Sequence, residues 1–200
     1  MSVAIIIRAA VMSLLHGVFA VLKPKGITCA ELGNKIKELL LNDVPYEKQL
    51  WFSTAMRLGH GGTLDMNAYG VLAIGMGAGC KQLKQFLFGP KEYRCTAILG
   101  IETDTYNETG NITGKRPYEI KCGPGFYVRS LVHDLGRALD TCSHIADLER
   151  TKHGIFTKAD ALDMSDITMD NVRHAISKAA QQCNRSSSFT SPNRDGHRSR

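Results

Sequence analysis

Apolar positions in this chain fall into short continuous runs and helical stripes, and their order predicts strands interleaved with helices. Gly17 to Leu22 is a continuous apolar run closed by Lys23-Pro24-Lys25-Gly26, which predicts a buried strand and a turn. Thr28 followed by Glu31 has the form of a capping box, and Leu32, Ile36, Leu39 and Leu40 recur at helical spacing, so a helix should end near Asn42. Asp43 to Thr54 is polar, contains Pro45, and reads as a surface loop. Val71 to Ile74 is a second apolar run between glycines and predicts another buried strand. Gly79 to Phe88 reads as a helix with Leu83, Phe86 and Leu87 inward and Lys81 and Lys84 outward; Tyr93 to Leu99 reads as a strand. Ile120 to Cys122 predicts a strand, and Phe126 to Leu139 a helix whose buried stripe is Val128, Leu131, Val132, Leu135 and Leu139. Leu148 to Lys152 should return as a strand, Phe156 to Leu162 should pack nearby, and Val172, Ala175, Ile176 and Ala179 mark a last helix.

Composition narrows the class. At 200 residues and 43% hydrophobic content the chain can bury one sizeable core, which makes a second full domain unexpected. A net charge of +6 suits an anionic partner and says nothing about fold. The six cysteines show no Cys-x-x-Cys spacing and no zinc-type cluster with histidine, so free thiols and no metal are expected. Residues 1–15 are apolar apart from Arg8, too short to span a membrane and poorer in Arg and Ser than a mitochondrial presequence. They read equally as a targeting segment or an extension without a role. Past Cys183 the chain turns to Ser, Asn, Arg, Pro and Gly, which predicts a disordered basic tail over residues 184–200. The expected organisation is therefore an extension (1–15), one domain (16–183) and a tail, with no membrane contact.

The candidate chemistry concentrates between Arg57 and Gly79. Asp65 is the single acid there, on a loop crowded by Gly59, Gly61 and Gly62; such a carboxylate is either a nucleophile or a turn residue. Two other readings have less support. Gly75-Met76-Gly77-Ala78-Gly79 has half the form of a dinucleotide-binding turn, but Cys80 stands at the sixth position and the chain lacks successive βαβ units. His60-Gly61-Gly62 has the form of an esterase oxyanion loop, but no Gly-x-Ser-x-Gly elbow accompanies it.

Four segments taken together resolve the choice: Val21-Leu22-Lys23-Pro24-Lys25-Gly26, Gly59-His60-Gly61-Gly62-Thr63-Leu64-Asp65, Lys91-Glu92-Tyr93 and Gly125-Phe126-Tyr127-Val128-Arg129-Ser130. In this order, from about Leu15 to Ile176, they resemble the tRNA pseudouridine-55 synthase family, the TruB-like branch, and its animal members most. The resemblance implies an α+β fold, a mixed, largely antiparallel sheet with packed helices and a cleft along the sheet. It implies isomerisation of uridine to pseudouridine in the tRNA T-loop, with mRNA as a further substrate, without cofactor or metal. It implies Asp65 as nucleophile, Arg129 as the arginine that pairs with and orients it, and Tyr93 as the tyrosine that stacks on the flipped base. His60 matches the histidine of the flipping site, Lys23 the motif lysine near the substrate channel, and Lys81 is a third RNA-facing candidate. The chain should act as a monomer in nucleus or cytoplasm, with the mitochondrion as the alternative raised by residues 1–15. Two departures stand out: Met66 follows the acid where bacterial members have proline, and a long family segment is missing near 119/120. The second departure leaves open an alternative, a shortened variant of little activity that only binds RNA or a partner.

Overall fold

Two strands form the centre of the chain. β1 (Gly17–Lys23) runs antiparallel to β3 (Tyr69–Met76), with Gly17 opposite Met76 and Lys23 opposite Gly70. Both are continuous apolar runs because both faces are covered. Phe19, Val21, Leu72 and Ile74 point into one core with Leu32, Ile36 and Leu40. Val18, Ala20, Val71 and Ala73 point into a second with Phe86, Phe156 and Ala179. The computed structural model describes residues 15–99, 116–123 and 125–188, so the expectations for residues 1–14 and 189–200 lie outside the described residues. The core already includes Leu15.

Around this pair the remaining strands among the described residues are β2 (Leu58–His60), β4 (Lys91–Leu99), β5 (Arg116–Cys122), β6 (Ser143–His153), β7 (Phe156–Thr157) and β8 (Ala161–Leu162). The sheet order is β5-β4-β6-β3-β1-β8, with β2 paired to β3 and β7 to β6. Pairings are antiparallel except two short parallel ones, β3 with β6 and β1 with β8. The α+β expectation therefore holds. The suspected junction near 119/120 lies inside β5, which pairs with β4 from Ala97↔Arg116 to Lys91↔Cys122 without interruption.

The first helix, α1 (Cys29–Leu41), starts as its sequence predicts: Thr28 Oγ1 accepts from Glu31 N–H (3.1 Å) and Glu31 Oε2 accepts from Thr28 N–H (2.7 Å). The next segment corrects the sequence reading. Asp43 to Thr54, expected as loop, contains helix α2 (Tyr46–Ala55), with Pro45 at its N-cap. Its faces do not separate by polarity: Tyr46 and Leu50 are exposed while Phe52 is buried, so no helical stripe announces it. The helix expected over Gly79 to Phe88 is instead a 3-10 helix (Gly77–Gln82) running into one α-turn, α3 (Leu83–Leu87), in which Phe86 is buried and Leu87 exposed.

Helix α4 (Val128–Ala138) sits on β6 through Val128 and Val132, and Gly136 lies against Ser143. Leu131 and Leu139, expected in its buried stripe, are exposed, so the covered face is narrower than the apolar one. The last helix, α5 (Met169–Ser188), covers β1 through Val172, Ile176 and Ala179. It continues five residues beyond Cys183, where a disordered tail was expected.

Candidate active site

Residues 61–68 join β2 to β3 and carry Asp65. They form no ladder of their own, so most of their carbonyls must find partners elsewhere. The partners come from five distant places. His153 Nε2 donates to Gly61 O (3.1 Å) while its Nδ1 accepts from Ala73 N–H (3.2 Å), which selects the neutral Nε2–H tautomer. Burial above all, with the charges of Arg150 and Lys91, pushes this imidazole down to about 3. Arg150, fully buried in β6, donates to Val71 O (2.7 Å), Gly62 O (3.3 Å) and Thr63 O (3.4 Å). The Cys29 thiol exchanges contacts of 3.3 Å with both the carbonyl and the N–H of Leu64. Met66 O accepts from Gly26 N–H (2.9 Å) and from Lys23 Nζ (3.1 Å), and Lys23 Nζ also reaches Ala68 O (2.7 Å). Asp65 O itself accepts from Ala68 N–H (3.1 Å), a turn directly behind the acid. Gly70 follows at φ +106, where a Cβ would lie 2.3 Å from Arg150 O, so only glycine lets β3 close on β6 at this point.

The expectation for Lys23 is corrected here. It is 1% exposed, its third contact is Pro24 O (3.0 Å), and all three ammonium hydrogens go to main-chain carbonyls beneath the loop. Burial pushes its ammonium down from the ordinary lysine value. Arg150 is the residue the sequence reading passed over. One signal was available, an arginine two residues after Leu148 on a segment read as a strand, but its partners lie about 80 positions earlier in the chain.

Asp65 projects from this held loop to meet Arg129, in the first turn of α4. Arg129 Nε lies 2.8 Å from Asp65 Oδ2, and Nη2 donates to Oδ1 at 3.3 Å, a bidentate pair. Tyr93 reaches the same neighbourhood from β4. A register shift between Glu92 and Tyr93 sets Glu92 opposite Lys152 and Tyr93 opposite Arg150, leaving Thr151 as the extra residue. Such a bulge re-aims side chains, and here it makes Tyr93 a hydrogen-bonded neighbour of Arg150. Burial pushes the Tyr93 phenol up, and the Arg150 charge opposes that push. Beside Asp65 and Arg129 opens a cleft of about 240 Å³, lined also by Lys25, Asp147, Ile145 and Leu148.

The structure thus brings Asp65 and Arg129 into contact and places Tyr93 on the strand partnered with β6. His60 ends β2 opposite Ile74, half-buried, its imidazole pushed down first by burial and then by Arg150. Lys81 is exposed on the 3-10 helix and does not line the cleft. Among the described residues no group of His, Cys, Asp and Glu is arranged to hold a metal, and no helix is long and apolar enough to cross a membrane.

A family model described as TruB family pseudouridylate synthase (N terminal domain) matches residues 49–125, and one for the tRNA pseudouridylate synthase B C-terminal domain matches residues 129–186. Human pseudouridylate synthase TRUB1 is 31% identical over 237 aligned residues, covering 81% of this chain and 68% of the relative. The chain belongs to the TruB family of pseudouridine synthases. A probable tRNA pseudouridine synthase B of Methanocaldococcus jannaschii is 29% identical, over 76% of this chain and 52% of that protein. The family's fold recurs in a chain of the archaeal box H/ACA sRNP Nop10-Cbf5 complex (TM-score 0.63, 24% identity, 82% of this chain). It recurs also in a chain of an H/ACA RNP bound to a substrate RNA containing 2'-deoxyuridine (TM-score 0.64, 23% identity, 86% of this chain). This chain spans 60% and 62% of those two chains' lengths. The alignment with TRUB1 is longer than this chain's 200 residues, so the relative carries a stretch without counterpart here.

Proposed function

We propose that this chain isomerises uridine to pseudouridine in tRNA, at position 55 of the T-loop, with structured mRNA as a further substrate. The observation that carries the reading is the bidentate Asp65–Arg129 pair at the mouth of a cleft, on a loop whose carbonyls are held by buried cations and an imidazole. The pair is little more than half buried on either side, so its worth to stability is only about 0–1 kcal/mol. Its value is positional: a guanidinium fork fixes both carboxylate oxygens and keeps the acid aimed.

In this reading Asp65 is the nucleophile that attacks the uridine's sugar or base; the base detaches, turns and rejoins through a ring carbon, that carbon gives up its hydrogen as a proton to solvent, the freed ring nitrogen takes one up, and Asp65 is released. Reaching a stacked uridine requires extruding it, and stacking on an aromatic ring such as Tyr93 offsets part of that cost. The relatives named as pseudouridylate or tRNA pseudouridine synthases support the choice of RNA and of tRNA. Asp65→Asn keeps the shape of the side chain and removes its charge and nucleophilicity, so turnover on a T-arm hairpin, read by tritium release, should vanish while RNA affinity stays within about twofold. Pseudouridine formed by that variant at the parental rate refutes the assignment. A second reading, RNA binding without turnover, is favoured by the stretch that TRUB1 carries and this chain lacks. The parent protein in the same assay separates the two, since only the first yields product.

A further inference from the structure

Among the described residues two cations line the cleft beside Asp65, Arg129 and Lys25, and they differ in what their partners do. Arg129 is committed to Asp65, and Lys23, two residues before Lys25, is committed to carbonyls beneath the loop. Lys25 lines the cleft, its side chain is 46% exposed, and its ammonium pairs with Asp147. The same ammonium lies 5.3 Å above the centre of the Tyr69 ring. Tyr69 in turn donates its hydroxyl to Asp147 Oδ2 at 3.0 Å, so the carboxylate is held on one oxygen by Tyr69 and meets Lys25 with the other. Burial and the Asp147 contact push the Tyr69 phenol up to about 12, which keeps it a donor at any working pH.

Asp147 is presented by a second bulge. The β4–β6 register shifts between Thr96 and Ala97, so Asp147 faces Thr96 while Ala146 is the extra residue. An acid lining an RNA cleft opposes a polyanion, and this one is paired with Lys25, a cation on the cleft wall that does not contact Asp65.

We propose that Lys25 is the RNA-phosphate contact of this cleft and that Asp147 is its counter-ion in the free protein, displaced when a backbone phosphate beside the reacting nucleotide takes the lysine. The inference rests on the function proposed above. Tyr69 holds Asp147 in place during the exchange, so the carboxylate competes with any phosphate that arrives at the wrong depth. The pair therefore sets both affinity and register along the strand.

The test is fluorescence anisotropy of a fluorescein-labelled T-arm hairpin over a potassium chloride series, with the parent, Lys25→Gln, Lys25→Arg, Asp147→Asn and the Lys25→Gln/Asp147→Asn double variant. Losing one phosphate contact should weaken binding several-fold and reduce the slope of log affinity against log salt by about 0.7–0.9. Lys25→Arg should keep the parental slope. Asp147→Asn should tighten binding several-fold, and most of that gain should vanish in the double variant. In turnover the Lys25→Gln loss should fall on KM. A parent that binds the hairpin, with Lys25→Gln unchanged in affinity and slope, overturns this proposal alone. So does an Asp147→Asn variant that binds more weakly, because the pair would then be support rather than competition. A parent that neither binds nor modifies the hairpin overturns both readings.

Discussion

Replacing Arg150 with methionine should damage both stability and chemistry. The side chain is fully buried, and its 2.7 Å bond to Val71 O is a short, charge-assisted one. The bonds to Gly62 O and Thr63 O are long, at 3.3 and 3.4 Å, and count for less. Methionine of similar length fills the space but leaves the carbonyls of Val71 and Gly62 without a donor, at about 1–3 kcal/mol each. Removing a buried cation also relieves its desolvation, so the net loss should be below the sum, about 2–4 kcal/mol. For a domain of this size that lowers Tm by roughly 5–15 °C. The rate should fall more than stability predicts. Arg150 is the partner of Tyr93 and holds the segment that precedes Asp65, and a displacement of about 1 Å costs on the order of a hundredfold. Circular dichroism melts together with single-turnover assays at a temperature where both proteins are folded separate the two effects. A variant that melts within about 2 °C of the parent and reacts at the parental rate refutes the claim that this cation holds the loop.

Other outcomes follow from the same geometry. Arg129→Lys keeps the charge but not the fork, so kcat should drop at least tenfold with Tm almost unchanged; equal rates would show that Arg129 does not orient Asp65. His153 stays neutral in the folded chain down to about 3, whereas the unfolded chain takes up the proton near 6.5. Between those values the unfolded state binds more protons, so stability is lost as pH falls, by about 1.4 kcal/mol per unit once well below the upper value. Urea unfolding at pH 7 and pH 5 should show a loss in the parent about 2 kcal/mol larger than in His153→Gln, and equal losses would remove His153 from the account. Val132→Ala should cost about 2 kcal/mol and Leu131→Ala less than about 1, since the first is 2% and the second 39% exposed; comparable losses in denaturant melts would contradict the observed face of α4.

Local chemistry made much of the molecule legible without a structure. The capping box at Thr28 and Glu31, the apolar runs of β1 and β3, and the α4 stripe through Val128 and Val132 are each set within a few residues, so sequence spacing reports them. Asp65 and Arg129 were found through the motifs that carry them, and the fold then brought them within 2.8 Å. Helix α2 was missed because its apolar residues lie on both faces, and Leu131 and Leu139 were misplaced because periodicity shows which face is apolar but not how much of it a neighbour covers. Tertiary structure alone decided what holds the loop that carries Asp65. The carbonyls of Gly61, Gly62, Thr63, Leu64, Met66 and Ala68 accept from Lys23, Cys29, Arg150 and His153, side chains up to about ninety positions away, and no local pattern in a glycine-containing segment encodes such partners. The same holds for the exchange of roles between Lys23 and Lys25. The two lysines flank one proline in the sequence and look equivalent there, but the alternation of a strand end against a turn buries the first among carbonyls and leaves the second over Tyr69 beside Asp147.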